Sequence, residues 1–157
     1  PTHIALSQFV PTEYQKDRGG IIQGKVHDYK AYLLDGISGH AGLFSTLDDL
    51  TQFANVFLNG GKYKDVQVFP SLMYTLLKNP LYRQNDRTLG WKLWEYQKNM
   101  FWHSGFTGTS IALDLDNKEA YICLTNRIYP TRSNSAWIKE RRKTLSIFFN
   151  EKEAVRK

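Results

Sequence analysis

Two stretches of the chain carry apolar residues at the spacing of an α-helix with one buried face. The first lies between Ser45 and Gly60–Gly61 and holds Leu47, Leu50, Phe53, Ala54, Phe57 and Leu58. Ser45 followed three residues later by Asp48 resembles a capping box, and the two glycines are a stop signal. The second begins near Pro70 and ends at Asn79–Pro80, because the residue before a proline disfavours helical geometry.

From about Thr88 the apolar period shortens to two, which predicts β-strands. The stretch 89–96 is rich in Trp and Tyr, and residues 111–115 and 120–124 each alternate apolar with polar or small side chains. Asp116–Asn117 lies between the last two stretches and is a turn signal. We therefore expect an antiparallel hairpin in this part of the chain.

The two ends of the chain differ from its middle. Residues 1–44 contain six glycines and few sustained periods, so we expect an irregular segment that borders a cleft. After Pro130 the pattern predicts a final helix, capped by Ser133 or Asn134, that faces the sheet with Trp137, Ile138, Leu145, Phe148 and Phe149. Helices followed by a small antiparallel sheet and one more helix indicate an α+β fold in a single domain spanning residues 1–157.

Composition supports a packed domain and adds a positive charge. The 157 residues are 41% hydrophobic and 14% aromatic, and the formal net charge is +6. Seven basic residues fall in the last twenty positions: Lys139, Arg141, Arg142, Lys143, Lys152, Arg156 and Lys157. A basic helix can bind nucleic acid. Acidic and apolar residues are interleaved with these cations, which favours a solvated helix face, and we expect no nucleic-acid partner.

Cysteine and histidine usage gives no indication of a disulfide or a metal site. Cys123 is the one cysteine, and its apolar neighbours predict a buried small side chain. His27–Asp28 and His40 have no third metal ligand at ordinary spacing. We therefore expect no metal and no cofactor. The sequence shows no signal peptide and no membrane span.

The tripeptide His103-Ser104-Gly105 is the strongest candidate for chemistry. On a strand, an imidazole followed by a hydroxyl can bind a substrate carboxylate or move a proton. The glycine leaves room for a substrate backbone, and the N–H that follows can donate to an oxyanion. Taken alone, the same three residues are also compatible with an ordinary polar strand end.

Two longer segments extend this motif. They are "GISGHAGLFSTLDDLTQFANVFLNGG" and, further on, "HSGFTGTSIALDLDNKEAYICLTNRIYP". In this order they resemble the serine β-lactamase and penicillin-binding-protein-like family, in its class C β-lactamase, esterase and D-Ala-D-Ala carboxypeptidase branch. The resemblance runs roughly from Gly24 to Phe149 and implies part of a β-lactamase/transpeptidase-like fold, with an antiparallel sheet and packed helices.

The resemblance also implies three motifs, of which this sequence holds one. His103-Ser104-Gly105 matches the third motif in its His form. None of the nine serines is followed three residues later by Lys, and none of the nine tyrosines is followed two residues later by Asn. The chain also begins with Pro1 and no Met. We therefore expect the C-terminal part of a larger serine hydrolase domain, inactive alone because it lacks the Ser-x-x-Lys nucleophile.

The resemblance assigns roles to six residues. His103, Ser104 and Gly105 form the catalytic strand, with neutral His103 where Lys is frequent and with the Ser104 hydroxyl on a substrate carboxylate. The Phe106 N–H is an oxyanion donor. Arg132, in the segment that leaves the last strand, is a candidate for a substrate carboxylate but also has the character of a surface arginine. His40 is a candidate substrate contact or a residue that orders its own loop.

Several functional alternatives remain open at this stage. The substrate expected is a β-lactam, a D-Ala-D-Ala-like peptide or an ester, bound together with the missing N-terminal half. The alternative is a noncatalytic module that binds peptidoglycan peptides. We expect the parent protein to be extracytoplasmic, in the bacterial cell envelope. Because the family completes its sheet with N-terminal strands, the edge at residues 119–125 should be open and should promote self-association.

Overall fold

A computed structural model describes residues 3–95 and 99–155, with side chains through residue 149. The helices are α1 (Tyr29–Leu33), α2 (Leu47–Leu58), α3 (Leu72–Lys78) and α4 (Ala136–Val155), and the strands are β1 (Tyr14–Gln15), β2 (Gly20–Ile21), β3 (Lys62–Tyr63), β4 (Val66–Gln67), β5 (Lys92–Leu93), β6 (Met100–Ser104), β7 (Ser110–Asp114) and β8 (Glu119–Cys123). Tyr96, Arg156, Lys157 and the Lys152 side chain, which entered the predictions above, lie outside the described residues.

The main sheet has four antiparallel strands in the order β5-β6-β7-β8. The β7–β8 pair is the predicted hairpin, with Asp114 opposite Glu119 at its closed end. Asp114 is fully buried, and its carboxylate accepts hydrogen bonds from the N–H groups of Asp116 and Asn117, both at 3.0 Å. The turn is therefore fixed by a side chain as well as by its own backbone.

Helices cover both faces of this sheet. Phe101 and Leu113 pack on one face against α2 and α3, through Ala54, Phe57 and Leu77. Met100 and Ala112 pack on the opposite face against α4, through Leu145 and Phe149. Alternate residues of a strand point to opposite faces, so β6 and β7 contribute to two cores at once. The predicted α+β fold is confirmed.

The three predicted helices are confirmed in approximate position as α2, α3 and α4, with one error in capping, and the short helix α1 lies in the segment that was expected to be irregular. Helix α2 is capped by Thr46, whose hydroxyl accepts from the Asp49 N–H at 3.2 Å, and not by Ser45 with Asp48. Ser45 and Thr46 both carry a hydroxyl that can cap a helix, so the sequence pattern alone does not distinguish them. With Thr46 as the N-cap, Leu47 is the first residue of the helix. The helix ends before Gly60–Gly61, as predicted.

Two predictions about packing are wrong. Ile138 does not face the sheet, because 45% of its surface is exposed. The tryptophan-rich stretch 89–96 yields only the two-residue strand β5. The reason is that Trp91 and Trp94 fill cores between layers, so their burial does not depend on a long strand. Helix α4 begins after Asn134, whose side chain accepts from the Ala136 N–H at 3.3 Å.

The segment 3–46 crosses the molecule as loops, the β1–β2 pair and the short helix α1. It contacts the later part of the chain at several places, among them the Tyr14 N–H, which donates to the Pro130 carbonyl at 3.0 Å, and the Asn126 side chain, which donates to the Pro11 carbonyl. No helix in the described part of the chain combines the length and the apolar character needed to cross a lipid bilayer.

Candidate active site

His103 and Ser104 end strand β6, and Gly105 begins the turn to β7. His103 pairs with Ile111 and Ser104 pairs with Ser110. Strand alternation places His103 on the sheet face that holds Phe101, and Ser104 on the opposite face. All three residues of the motif are half-buried. The structure therefore places the predicted motif at a strand end where solvent reaches it.

The outer edge of β6 is open at this motif. Strand β5 pairs with Phe101 and Trp102, and the ladder on that side stops before His103 within the described residues. The Gly105 N–H donates to the Thr109 carbonyl at 2.8 Å, so the Ser104–Ser110 pair, one step back, is a non-hydrogen-bonded pair. The peptide N–H and C=O of Ser104 therefore point away from β7, toward the open edge.

The electrostatic surroundings of His103 keep its imidazole neutral. Burial lowers the pKa of His103 below its ordinary value, and the nearby cations Arg87 and Lys92 lower it further. Burial acts because an imidazolium loses solvation, and the cations act by like-charge repulsion. At neutral pH the ring can accept or pass a proton but adds no positive charge.

The turn that follows the motif, residues 105–109, is named here the HSG turn. A Cβ at Gly105 would lie 2.5 Å from the Thr109 hydroxyl. Gly108 has φ +123°, and a Cβ there would lie 2.6 Å from the Thr125 hydroxyl and 2.9 Å from its carbonyl oxygen. At both positions neighbouring protein atoms leave little room for a Cβ, and at Gly108 the positive φ also favours glycine.

Side chains from the end of the chain hold the HSG turn by its carbonyl oxygens. Arg127 Nε donates to Phe106 O at 2.9 Å, and Trp137 Nε1 donates to Gly108 O at 2.8 Å. Arg141 donates to Gly105 O at 2.8 Å. Arg127 is 7% exposed and also donates to Asn134 O at 2.7 Å. The turn is therefore rigidly held, as a site that orients a ligand requires.

A buried hydroxyl lies across the sheet from Ser104. The Ser110 Oγ is enclosed and has no hydrogen-bond partner among the described residues. Side chains of a non-hydrogen-bonded antiparallel pair are the closest across two strands. Ser110 is thus placed where its hydroxyl can reach that of Ser104 after a change of rotamer.

In Phe106 the backbone N–H has no acceptor among the described residues, whereas the ring contacts other side chains. No described residue accepts a hydrogen bond from the Phe106 N–H, the candidate oxyanion donor. Its ring is 56% exposed and stacks on the His27 ring, with centroids 5.7 Å apart and planes at 14°. The guanidinium of Arg127 lies 4.5 Å from the centroid of the Phe106 ring. The donor is available, and the residue that carries it is fixed by its side chain.

Arg132 is engaged within the protein. Its guanidinium donates to both oxygens of Glu13, from Nη2 at 2.7 Å and from Nε at 2.9 and 3.1 Å. The hydrogen bonds that Arg132 donates to the Glu13 carboxylate raise the pKa of Arg132. The side chain meets a carboxylate, as the sequence analysis proposed, but that carboxylate belongs to the same chain. A substrate role for Arg132 stays a prediction that must compete with this ion pair.

His40 lies in the loop of residues 36–44, named here the His40 loop. Its Nε2 is 2.8 Å from the Asp28 carboxylate, and its Nδ1 is 2.5 Å from the Ser38 hydroxyl. The Ala31 N–H, followed by the His40 ring, lowers the pKa of Asp28. These bonds fit the loop-ordering alternative, and a substrate contact stays a prediction.

Sequence reasoning missed the residues that support the motif: Glu13, His27, Arg127, Trp137 and Arg141. They lie up to 119 residues from their partners, and no local pattern reports such a contact. One signal was available for Arg127, which is a charged residue between the apolar end of β8 and the apolar Ile128. Among the residues that the structure describes, no group of three His, Cys, Asp or Glu side chains could hold a metal ion.

Comparison with known proteins agrees with this geometry. The family model described as Beta-lactamase matches residues 6–146. The N-acetylmuramyl-L-alanine amidase of Bacillus subtilis strain 168 is 34% identical over 127 residues, which is 73% of this chain and 29% of that protein. The antiparallel sheet with helices on both faces is consistent with part of a β-lactamase-like fold. This chain belongs to the β-lactamase family.

Other relatives carry a second name. A provisionally named D-alanyl-D-alanine carboxypeptidase of Escherichia coli O157:H7 is 34% identical over 116 residues, 66% of this chain and 27% of that protein. Its counterpart in strain K12 is 32% identical over 122 residues, 70% of this chain and 28% of that protein. The chain spans less than a third of the length of these curated relatives. No solved structure matches the chain.

Proposed function

We propose that this chain forms the substrate-binding wall of a serine acyl-transfer site in a cell-envelope hydrolase. The observation that carries the proposal is the open outer edge of β6 at His103-Ser104-Gly105, beside the unbound N–H of Phe106. A rigid turn that presents the Phe106 N–H next to a free strand edge suits an extended substrate whose carbonyl oxygen gains charge during reaction.

The residues would act on such a substrate from two faces of one strand. A ligand lying along the edge of β6, in the plane of the sheet, passes both the His103 face and the Ser104 face. Ser104 would bind a carboxylate of the substrate, and neutral His103 would accept or pass a proton. Phe106 N–H would stabilise the oxyanion. The nucleophile would come from residues outside this sequence, which contains no Ser-x-x-Lys.

The substrate class is inferred from the relatives. Two of their names, N-acetylmuramyl-L-alanine amidase and D-alanyl-D-alanine carboxypeptidase, refer to bonds within or next to a peptide. For this chain we infer a β-lactam, a D-Ala-D-Ala-like peptide or an ester as substrate, and a place outside the cytoplasm. A noncatalytic module that binds the same peptides is the second candidate, because it needs the same edge.

Penicillin labelling tests the proposal in two steps. This chain alone should gain no acyl mass with penicillin and should hydrolyse no nitrocefin above buffer, because the nucleophile is missing. In a protein that carries this chain together with a Ser-x-x-Lys segment, Ser104→Ala should slow acylation roughly ten- to a hundredfold, the cost of one charge-assisted hydrogen bond. Ser146→Ala on α4 is the matched control.

Each outcome has a defined meaning. Acylation of the chain alone would overturn the claim that the nucleophile lies elsewhere. An unchanged acylation rate in Ser104→Ala would remove Ser104 from the site. Binding of a D-Ala-D-Ala peptide by the nucleophile-containing protein, with no acyl-enzyme and no product, would favour the noncatalytic module.

A further inference from the structure

A carboxylate that accepts several hydrogen bonds lies where the N-terminal segment meets the segment that leaves β8. Glu13 is 5% exposed and accepts hydrogen bonds from Arg132, including the Arg132 backbone N–H at 3.0 Å. It also accepts from Gln15 Nε2 at 2.8 Å and lies 2.8 Å from His27 Nε2. Hydrogen bonds from Arg132, and then from His27, outweigh burial and hold the pKa of Glu13 well below its usual range.

This carboxylate fixes the orientation of the His27 ring. The His27 side chain is 9% exposed, and its Nε2 is directed at Glu13. A ring that is enclosed and bound at one nitrogen cannot rotate without breaking that bond. The same ring stacks on Phe106, so the plane of the Phe106 ring is matched to that of His27.

Phe106 is held from a second direction by the end of the chain. Arg127 donates to the Phe106 carbonyl and lies against its ring, and the centroid of that ring is 5.9 Å from the guanidinium of Arg132. Two of the Glu13 partners, His27 and Arg132, therefore lie against Phe106, the candidate oxyanion donor beside the open strand edge. An exposed phenylalanine would otherwise sample several rotamers.

We propose that Glu13, His27 and Arg132 form a positioning latch that fixes Phe106 and the direction of its N–H. The latch joins residues 13 and 27 of the N-terminal segment to residue 132 after β8, across the HSG turn. None of the three needs to touch the substrate for this role. The consequence for catalysis rests on the proposed function, because it requires that the Phe106 N–H serve as the oxyanion donor.

Two substitutions of His27 separate positioning from simple cohesion. His27→Ala removes the ring and the hydrogen bond to Glu13, whereas His27→Phe keeps a ring against Phe106 and removes only the hydrogen bond. Glu13→Gln keeps the shape of the carboxylate but weakens the hold on His27 and Arg132. Glu140→Gln, which changes one exposed carboxylate paired with Lys143, is the matched charge control.

The first readout is nuclear magnetic resonance of this chain, which needs no activity. Stacking on His27 should shift the ring protons of Phe106 upfield, and one set of amide signals should be seen for residues 105–108. His27→Ala should abolish the ring shift and broaden or move those amides, while His27→Phe, which keeps a ring but lacks the bond to Glu13, should restore the ring shift only in part. Unchanged Phe106 signals in folded His27→Ala, or full recovery of the wild-type signals in His27→Phe, would overturn the latch.

The second readout is acylation in a protein that carries this chain and a Ser-x-x-Lys segment. A misdirected oxyanion donor should lower kcat about ten- to a hundredfold in His27→Ala with KM little changed, and His27→Phe, which lacks the bond to Glu13, should recover only part of it. If the Phe106 signals move and the rate does not, the latch stands and the oxyanion role of Phe106 fails. If His27→Ala does not fold, Glu13→Gln against Glu140→Gln decides on the same signals.

Discussion

The HSG turn and the His40 loop come from the two segments that carry the family resemblance, and they differ in how they are held. The HSG turn has its carbonyl oxygens bound by Arg127, Trp137 and Arg141. The His40 loop is tied by His40 to Asp28 and Ser38, and it exposes Ile37 and Leu43 at 85% and 99%. The HSG turn is held by side chains of the same chain, whereas the His40 loop presents apolar side chains that no described residue covers.

The difference shows that one chain can fix part of a site and leave another part to later contacts. A rigid turn can present a donor before any ligand arrives, so binding does not have to order it. Exposed Leu and Ile side chains gain free energy only when another surface covers them. We therefore expect the two regions to respond oppositely to substitution.

Removing the buried guanidinium should produce the largest effect. We expect Arg127→Met to lower the free energy of unfolding by about 3 kcal/mol, because several carbonyl oxygens lose charge-assisted donors in a buried place. Urea unfolding followed by circular dichroism measures this. Lys139→Met, at an exposed position on α4, is the control and should stay within about 0.5 kcal/mol of wild type. Equal behaviour of the two variants would show that the HSG turn does not depend on Arg127.

One substitution made in both regions gives a direct comparison. Gly108→Ala should cost about 2 kcal/mol, because φ is +123° and the new methyl meets Thr125. Gly39→Ala in the His40 loop meets no atom within 4 Å and should be neutral or add up to about 1 kcal/mol of stability. Thermal unfolding of both variants decides the matter. A loop as rigid as the turn would make the second change costly too.

Measuring self-association tests whether the apolar side chains of the open surfaces form contacts between copies of the chain. We propose that the chain self-associates through the edge of β8 or through the exposed His40 loop. Leu43→Glu should leave the unfolding free energy within about 0.5 kcal/mol and shift the sedimentation profile toward monomer if the loop is the contact. Ile122→Lys should do so if the β8 edge is the contact. A strictly monomeric wild type from micromolar to near-millimolar concentration would rule out both contacts.

We expect the smallest effect from a change in the pKa of His103, which lies in the strand beside the HSG turn. Arg87→Gln removes one of the cations that lower the pKa of His103, so that pKa should rise toward its ordinary value of 6.5. Because the unfolded chain takes up this proton at higher pH than the folded chain, folded-state stability falls as pH drops below about 6.5, and the variant should lose less. Imidazole resonances followed through a pH titration report the change, and Lys139→Gln should leave them in place.

Sequence patterns predicted what depends on neighbours in the chain. The α2 period and the Asp116–Asn117 turn are both local, and both are confirmed. The patterns failed where burial is decided by another layer, as for Ile138, which is apolar but exposed. They also failed to show that Arg132 is bound by Glu13, 119 residues away, because a salt bridge leaves no periodic trace.

The contacts that hold the HSG turn join residues far apart in the chain, and this separation sets an order in which the proposed substrate-binding wall can form. The β6–β7 hairpin closes a short loop and can form early. The hydrogen bond from Arg141 to Gly105 spans 36 residues, and the one from Arg132 to Glu13 spans 119. A chain emerging during synthesis therefore has the His-Ser-Gly strand in place well before helix α4 and residue 132 can lock the turn. We therefore expect the donor beside that strand to become fixed only after residues 127–141 have been synthesised, although Phe106 itself is made earlier.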